Sequence, residues 1–169
     1  EQQELIMSEF RPEEGNFNLG NPRIAVIAAR WNAEITDGLL AGAVRALARH
    51  NISGDSVEQY RVPGAFELPL MARDLAASGR YGAVACAAFV VDGGIYRHDF
   101  VAQAVVDGLM RAGLDTGIPV LSVSLTPHHY QETDHHNAIY QAHFVEKGRE
   151  AAQAALAISG VRKNVQIAA

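Results

Sequence analysis

The chain has 169 residues, 49% of them hydrophobic, with a formal net charge of −5 and an isoelectric point near 5.8. That is enough for one domain with a substantial core and too little length for two. The acidic balance offers no cationic field to a polyanion, so a nucleic-acid binder is disfavoured and any bound phosphate should be small and locally held. No apolar run reaches the length of a membrane span, and the N-terminus lacks the basic-then-apolar order of a signal peptide, so a soluble cytoplasmic protein is expected.

The first sixteen or so residues, with Glu1, Glu4, Glu9, Glu13 and Glu14, show no periodicity and read as a flexible arm or an expression remnant. Residues 17–169 are expected to form a single domain. The first unit pairs an apolar strand, Ile24 to Ala28, with a helix from about Ala33 to His50 in which Ile35, Leu39, Ala43 and Leu47 recur at four-residue spacing. The second pairs Ser56 to Val62 with a helix carrying Leu68, Met71, Ala72 and Leu75. Pro69 is tolerable there because it sits in the opening turn, and Gly79 closes the helix.

In the third unit, the strand Ala83 to Val91 leads to a helix with Val101, Val105, Leu109 and Ala112, ended by Gly113 with Pro119 beyond. The lone cysteine, Cys86, falls inside that strand and reads as a small buried hydrophobe, which fits a reducing compartment. The fourth strand runs from Val120 to Leu125. After a histidine-rich stretch from Thr126 to Asn137 comes an alanine-rich helix to about Ile158. Strict alternation of strand and helix predicts an α/β, flavodoxin-like three-layer sandwich, with a four-stranded parallel sheet flanked by helices. So narrow a sheet has two edges to manage, and association with other subunits is expected to cover some of this surface.

Ligands of such sheets bind at the carboxyl ends of the strands. The polar groups collect there: Arg30, Trp31 and Asn32 after the first strand, Pro63, Gly64, Phe66 and Glu67 after the second, Gly93 to Asp99 after the third, and Thr126 to His136 after the fourth. Trp31 suits stacking on a planar heterocycle, with core packing or an interface anchor as the alternative. Val62-Pro63-Gly64-Ala65-Phe66-Glu67 would expose backbone amides at a helix start, where Glu67 could equally be a cap. Arg97 and His98 stand in a helix's first turn, a poor place for positive charge unless an anion or Asp99 neutralises it. A surface salt bridge of Arg97 is the plain alternative.

His128, His129, His135 and His136 lie close together but lack zinc-motif spacing and any cysteine, so substrate contact at a subunit boundary is the better reading than a metal. No dinucleotide fingerprint, Walker loop or G-x-S-x-G elbow is present.

The combination of Arg30-Trp31-Asn32, Val62-Pro63-Gly64-Ala65-Phe66-Glu67-Leu68-Pro69, Val90-Val91-Asp92-Gly93-Gly94 with His98 and Asp99, and Ile118-Pro119-Val120 resembles the lumazine synthases from Arg23 to about Gly160. The resemblance implies riboflavin biosynthesis: condensation of 5-amino-6-(D-ribitylamino)uracil with 3,4-dihydroxy-2-butanone 4-phosphate to 6,7-dimethyl-8-ribityllumazine, releasing phosphate and water. It implies no metal or organic cofactor. It assigns Trp31 to stacking on the pyrimidine, and Ala65, Phe66 and Glu67 to the ribityl side and ring. Phe89, Val90 and Val91 would line the pyrimidine. Ser122 would fall where a neighbouring subunit closes the pocket, and His136 matches a position that usually carries a phosphate-binding arginine.

Two departures from the family pattern stand out. Arg97 occupies the position of the usual proton-transfer histidine, with His98 next along and rotated by about 100° if both are helical. Arg97 can orient phosphate but cannot act as an ordinary base. Gly94-Ile95 replaces a small residue followed by threonine, so phosphate must rely on backbone amides, Arg97, His136 or Lys147. These features resemble the divergent second class of the family, homodecamers of two pentamers with intersubunit sites. Slow turnover is expected, and a riboflavin- or lumazine-binding protein with little catalysis is the alternative.

Overall fold

The computed structural model describes residues 23–95 and 97–168; the acidic segment at the N-terminus lies outside them. Four strands, β1 (Ile24–Ala29), β2 (Val57–Val62), β3 (Ala83–Phe89) and β4 (Val120–Leu125), form one sheet in the order β2-β1-β3-β4, with every neighbouring pair parallel. The helices are α1 (Ala33–Thr36), α2 (Gly38–Ala48), α3 (Leu68–Ala77), α4 (His98–Thr116) and α5 (Asp134–Ala168). This is the expected flavodoxin-like sandwich.

The central strands β1 and β3 are buried at every position, which is why they read as continuous apolar runs rather than alternating ones. Successive side chains still go to opposite faces. Ala25, Ile27, Val84 and Cys86 pack under α3 and α4 against Leu68, Leu75, Val105 and Leu109. On the other face, Val26, Ala28, Ala85 and Phe89 pack under Ile35 and Leu39 and the Phe144 ring of α5. At the amino ends of the strands, Ile24 and Ala83 meet Leu47, Ala155 and Leu156.

The α2–α5 crossing is close. A methyl group on Gly42 would lie 1.8 Å from the Val145 carbonyl oxygen, and one on Gly148 would lie 2.1 Å from that of Leu39. Only glycine permits backbones to approach this far.

Several element boundaries differ from the sequence reading. The single helix expected over Ala33 to His50 is divided at Asp37, which caps both pieces and whose carboxylate is drawn to Arg61 of β2. The third strand stops at Phe89, two residues early, because the backbone must turn into the glycine loop. Helix α4 runs through Gly113, which packs near Val120, and ends instead at Gly117 with φ 68°, the left-handed cap that glycine favours. Helix α5 begins at Asp134, taking in His135 and His136, and continues ten residues past Ile158 to Ala168. Arg162 there donates to the Gly117 carbonyl oxygen, tying this extension to the end of α4.

Candidate active site

A cavity of about 420 Å³ opens at the carboxyl ends of β1, β2 and β3. Its position follows from the strand order: the chain leaves β1 toward β2 on one side and returns to β3 on the other, so the loops diverge and leave a crevice. Ala29, the last residue of β1, and Ala88, next to last in β3, line it. The loop after β1 contributes Trp31 and Asn32, and the loop after β2 contributes Ala65, Phe66 and Glu67. Phe89, Val90 and Val91 come from the end of β3.

Trp31 is 79% exposed and Phe66 69%, although both are large apolar groups. Exposed aromatics bordering an apolar hollow are what a flat ligand would cover. Core packing of Trp31 is thereby set aside. Glu67 accepts a hydrogen bond from the Gly64 amide at 2.9 Å, so the capping reading holds and leaves a carboxylate at the cavity wall. Asn32 takes the left-handed conformation, φ 58°, and its Nδ2 donates to the Phe89 carbonyl oxygen at 3.0 Å.

The turn from β3 into α4 separates the two adjacent cationic candidates. His98 opens α4, is partly buried and borders the first cavity. It also borders a second cavity of about 420 Å³, whose walls include Asp92, Arg97, Asp99, Thr126 and His128. Arg97 reaches only this second space. Its guanidinium donates to Asp99 Oδ2 at 2.9 Å and lies 4.2 Å from the centroid of the Phe100 ring. The hydrogen bond from Arg97 holds the Asp99 carboxyl below the usual carboxylate range. Asp99 therefore supplies the counter-charge that a helix start demands.

Four sequence-derived candidates lie in neither cavity. Gly94 and Ile95 stand on the exposed turn before α4, with Ile95 86% exposed. Ser122 is exposed on β4, the edge strand, opposite Cys86 in register. His136 sits in the first turn of α5, where its Nδ1 accepts from the Gln131 amide at 3.0 Å and its ring faces Tyr130 and Tyr140. Among the described residues, no three His, Cys, Asp or Glu side chains converge as a metal site would require.

Sequence reasoning gave no role to Asp92, and it read the Thr126 to His136 stretch, with His128, only as a contact at a subunit boundary; within one subunit Asp92, Thr126, Pro127 and His128 line the second cavity with Arg97, His98 and Asp99. The signal was available in the strand order, since β3 and β4 are neighbours and their following loops must lie side by side. Two cavities that share His98 in their lining, one mainly apolar with Trp31, Phe66 and Phe89 and one with cationic and acidic groups, suit a planar heterocycle beside a small polar co-reactant.

The family described as 6,7-dimethyl-8-ribityllumazine synthase matches residues 21–163. A protein of that name from Rhodococcus erythropolis is 54% identical over 150 residues, covering 89% of this chain and 91% of its own. A protein named 6,7-dimethyl-8-ribityllumazine synthase 2 from Pseudomonas syringae pv. tomato is 47% identical over 133 residues, covering 79% and 78%. Another so named from Bradyrhizobium diazoefficiens is 43% identical over 133 residues, covering 78% and 79%.

Proposed function

The chain belongs to the 6,7-dimethyl-8-ribityllumazine synthase family, and from that premise we propose how its own residues divide the reaction between the two cavities. It is a transferase of riboflavin biosynthesis, condensing 5-amino-6-(D-ribitylamino)uracil with 3,4-dihydroxy-2-butanone 4-phosphate to 6,7-dimethyl-8-ribityllumazine, with release of phosphate and water. The membership favours this catalytic reading over a riboflavin-binding protein on the same scaffold.

In this proposal the pyrimidine lies in the first cavity with its face on Trp31 and its edge along Phe89, Val90 and Val91. Ala65, Phe66 and Glu67 hold the ribityl chain and the ring, the Glu67 carboxylate accepting from hydroxyls. The phosphoketone enters through the second cavity, where Arg97 holds its phosphate, with amides around Gly94 and Ile95 assigned to reach it from the exposed turn between the lining residues Asp92 and Arg97. The pyrimidine amine then attacks the ketone, an imine forms with loss of water, phosphate is eliminated, and the ribitylamino nitrogen closes the ring on the remaining carbonyl with loss of a second water. Catalysis consists mainly of holding the two reactants together and moving protons between them.

The observation that carries the assignment is that His98, and not Arg97, borders both cavities. We assign proton transfer to His98, whose imidazole has two ring nitrogens that can donate or accept a hydrogen bond, and orientation of phosphate to Arg97, whose guanidinium offers a planar fork of donors and no acceptor. The relocation of the base by one residue accounts for an expected slow turnover.

Members of this family are oligomers acting on small molecules. Here Ser122 and His136, which lie away from both cavities of their own subunit, are assigned to the site of an adjoining copy, with His136 on the phosphate, in a dimer of pentamers. Mixing the two substrates with the protein and following lumazine absorbance tests the reaction; a rate no greater than the uncatalysed one refutes it. Light scattering tests the decamer, and a single pentamer or a larger shell would overturn that part.

A further inference from the structure

Asn32 breaks two local rules at once. It stands at the N-cap of α1, where an asparagine side chain ordinarily accepts from the first free amides of the helix, yet it makes no such bond. Its backbone is left-handed at φ 58° and ψ 38°, a conformation that costs most residues free energy and that asparagine tolerates. Its carbonyl oxygen nonetheless accepts from the amides of Ile35 and Thr36 at 3.0 and 3.1 Å, so the helix start is well formed. The side chain instead crosses to the last residue of β3, donating to the Phe89 carbonyl oxygen at 3.0 Å from a position 57 residues earlier in the chain.

The neighbouring indole explains what such a bond could accomplish. Trp31 is 79% exposed, so packing does little to fix where its ring lies. The backbone that carries it is fixed only through its neighbours. On one side the Arg30 amide donates to the Val62 carbonyl oxygen at 2.9 Å. On the other side the bond from Asn32 joins the loop to β3. The Asn32–Phe89 bond thus joins two elements that line the crevice, the loop that carries the indole and the end of β3 with Phe89, Val90 and Val91.

We infer that Asn32 is a positioning residue for the pyrimidine subsite: its side-chain bond to Phe89 fixes the separation of the two walls and the pose of the Trp31 ring. Asn32 acts through Trp31 and needs no contact with the reacting atoms. Local strain and an unused cap are retained where they define a binding geometry. This inference rests on the proposed stacking role of Trp31.

The test uses two substitutions that separate backbone from side chain. N32G keeps the left-handed conformation at no steric cost and removes the bond, while N32D keeps both shape and left-handed tolerance but offers no donor to a carbonyl oxygen. Because Trp31 is the sole tryptophan of the chain, fluorescence anisotropy of the ligand-free protein reads its mobility directly. Both variants are expected to melt as the parent does, to show lower anisotropy, and to raise KM for the pyrimidine about tenfold, the value of one hydrogen bond. KM for the phosphoketone and kcat should change by less than about threefold, well within that factor. Unchanged anisotropy with unchanged KM in both variants would overturn the inference, as would loss of folding in both, which would make the role purely structural. If the parent itself fails to condense the substrates, the functional reading falls while the anisotropy comparison still decides whether Asn32 holds the indole.

Discussion

Arg97 and His98 are consecutive in sequence, yet His98 stands in the wall common to both cavities while Arg97 borders only one and is bound to Asp99. The two residues should therefore fail differently. Replacing His98 by alanine is expected to lower kcat by about a hundredfold, the lower end of what a general acid or base supplies. Arg97→Ala should act chiefly on KM for the phosphoketone. Steady-state kinetics with each substrate varied in turn checks this, and a larger kcat loss for Arg97→Ala would reverse the assignment.

Removal of the exposed indole should be felt by one substrate only. Stacking of a base on an aromatic side chain contributes about 1–3 kcal/mol, so Trp31→Ala should raise KM for the pyrimidine by roughly ten- to a hundredfold. Thermal stability should scarcely change, because so little of the ring is buried. A drop in melting temperature beyond that of a surface substitution would return Trp31 to a packing role.

The α2–α5 crossing gives a prediction about stability alone. Gly42→Ala would force a methyl group into the Val145 carbonyl, and backbone atoms cannot move aside as a side-chain end can. A loss of about 1–3 kcal/mol is expected, measured by urea unfolding, with substrate KM values near those of the parent wherever the variant is folded. A neutral Gly42→Ala would mean that the helices are further apart.

His143, on α5, provides a pH dependence. Burial, assisted by the charge of Lys147, holds its imidazole below the ordinary value of 6.5, although Glu150 and Glu146 pull the other way. The native group thus stays neutral where the unfolded chain would bind a proton. Its contribution to stability is fully present above the unfolded value and is lost as pH falls through the lower native one. Melting temperature should decline as pH falls through and below the ordinary value of 6.5, and His143→Gln should flatten that decline. An identical slope in the variant would assign the acid sensitivity elsewhere.

The fold was legible because its signals are redundant. Two apolar strands buried on both faces, amphipathic stripes at four-residue spacing and long connections all point to a parallel sheet, and the sheet's geometry then gathers four loops. Trp31, Phe66 and Glu67 could be placed at one crevice from that alone, and Phe89 joined them through the family resemblance. What sequence could not settle is angular. Whether Arg97 or His98 borders the crevice depends on where α4 begins, and one residue of difference turns a side chain by about 100°. The length of α5 was hidden for a different reason: Ser159-Gly160 reads as a stop, but the Ser159 hydroxyl donates back to the Ala155 carbonyl oxygen at 2.7 Å and the helix continues. Ser122 and His136 are assigned through a second subunit, which no single-chain periodicity can display.

Ala29 ends β1, and Ala88 is the next-to-last residue of β3. Both line the crevice with nothing larger than a methyl group, so substitution at either can only take space from it. Enlarging either should make the hollow smaller one carbon at a time, so a small library at these two sites would rank bicyclic against tricyclic guests while the rest of the lining stayed untouched.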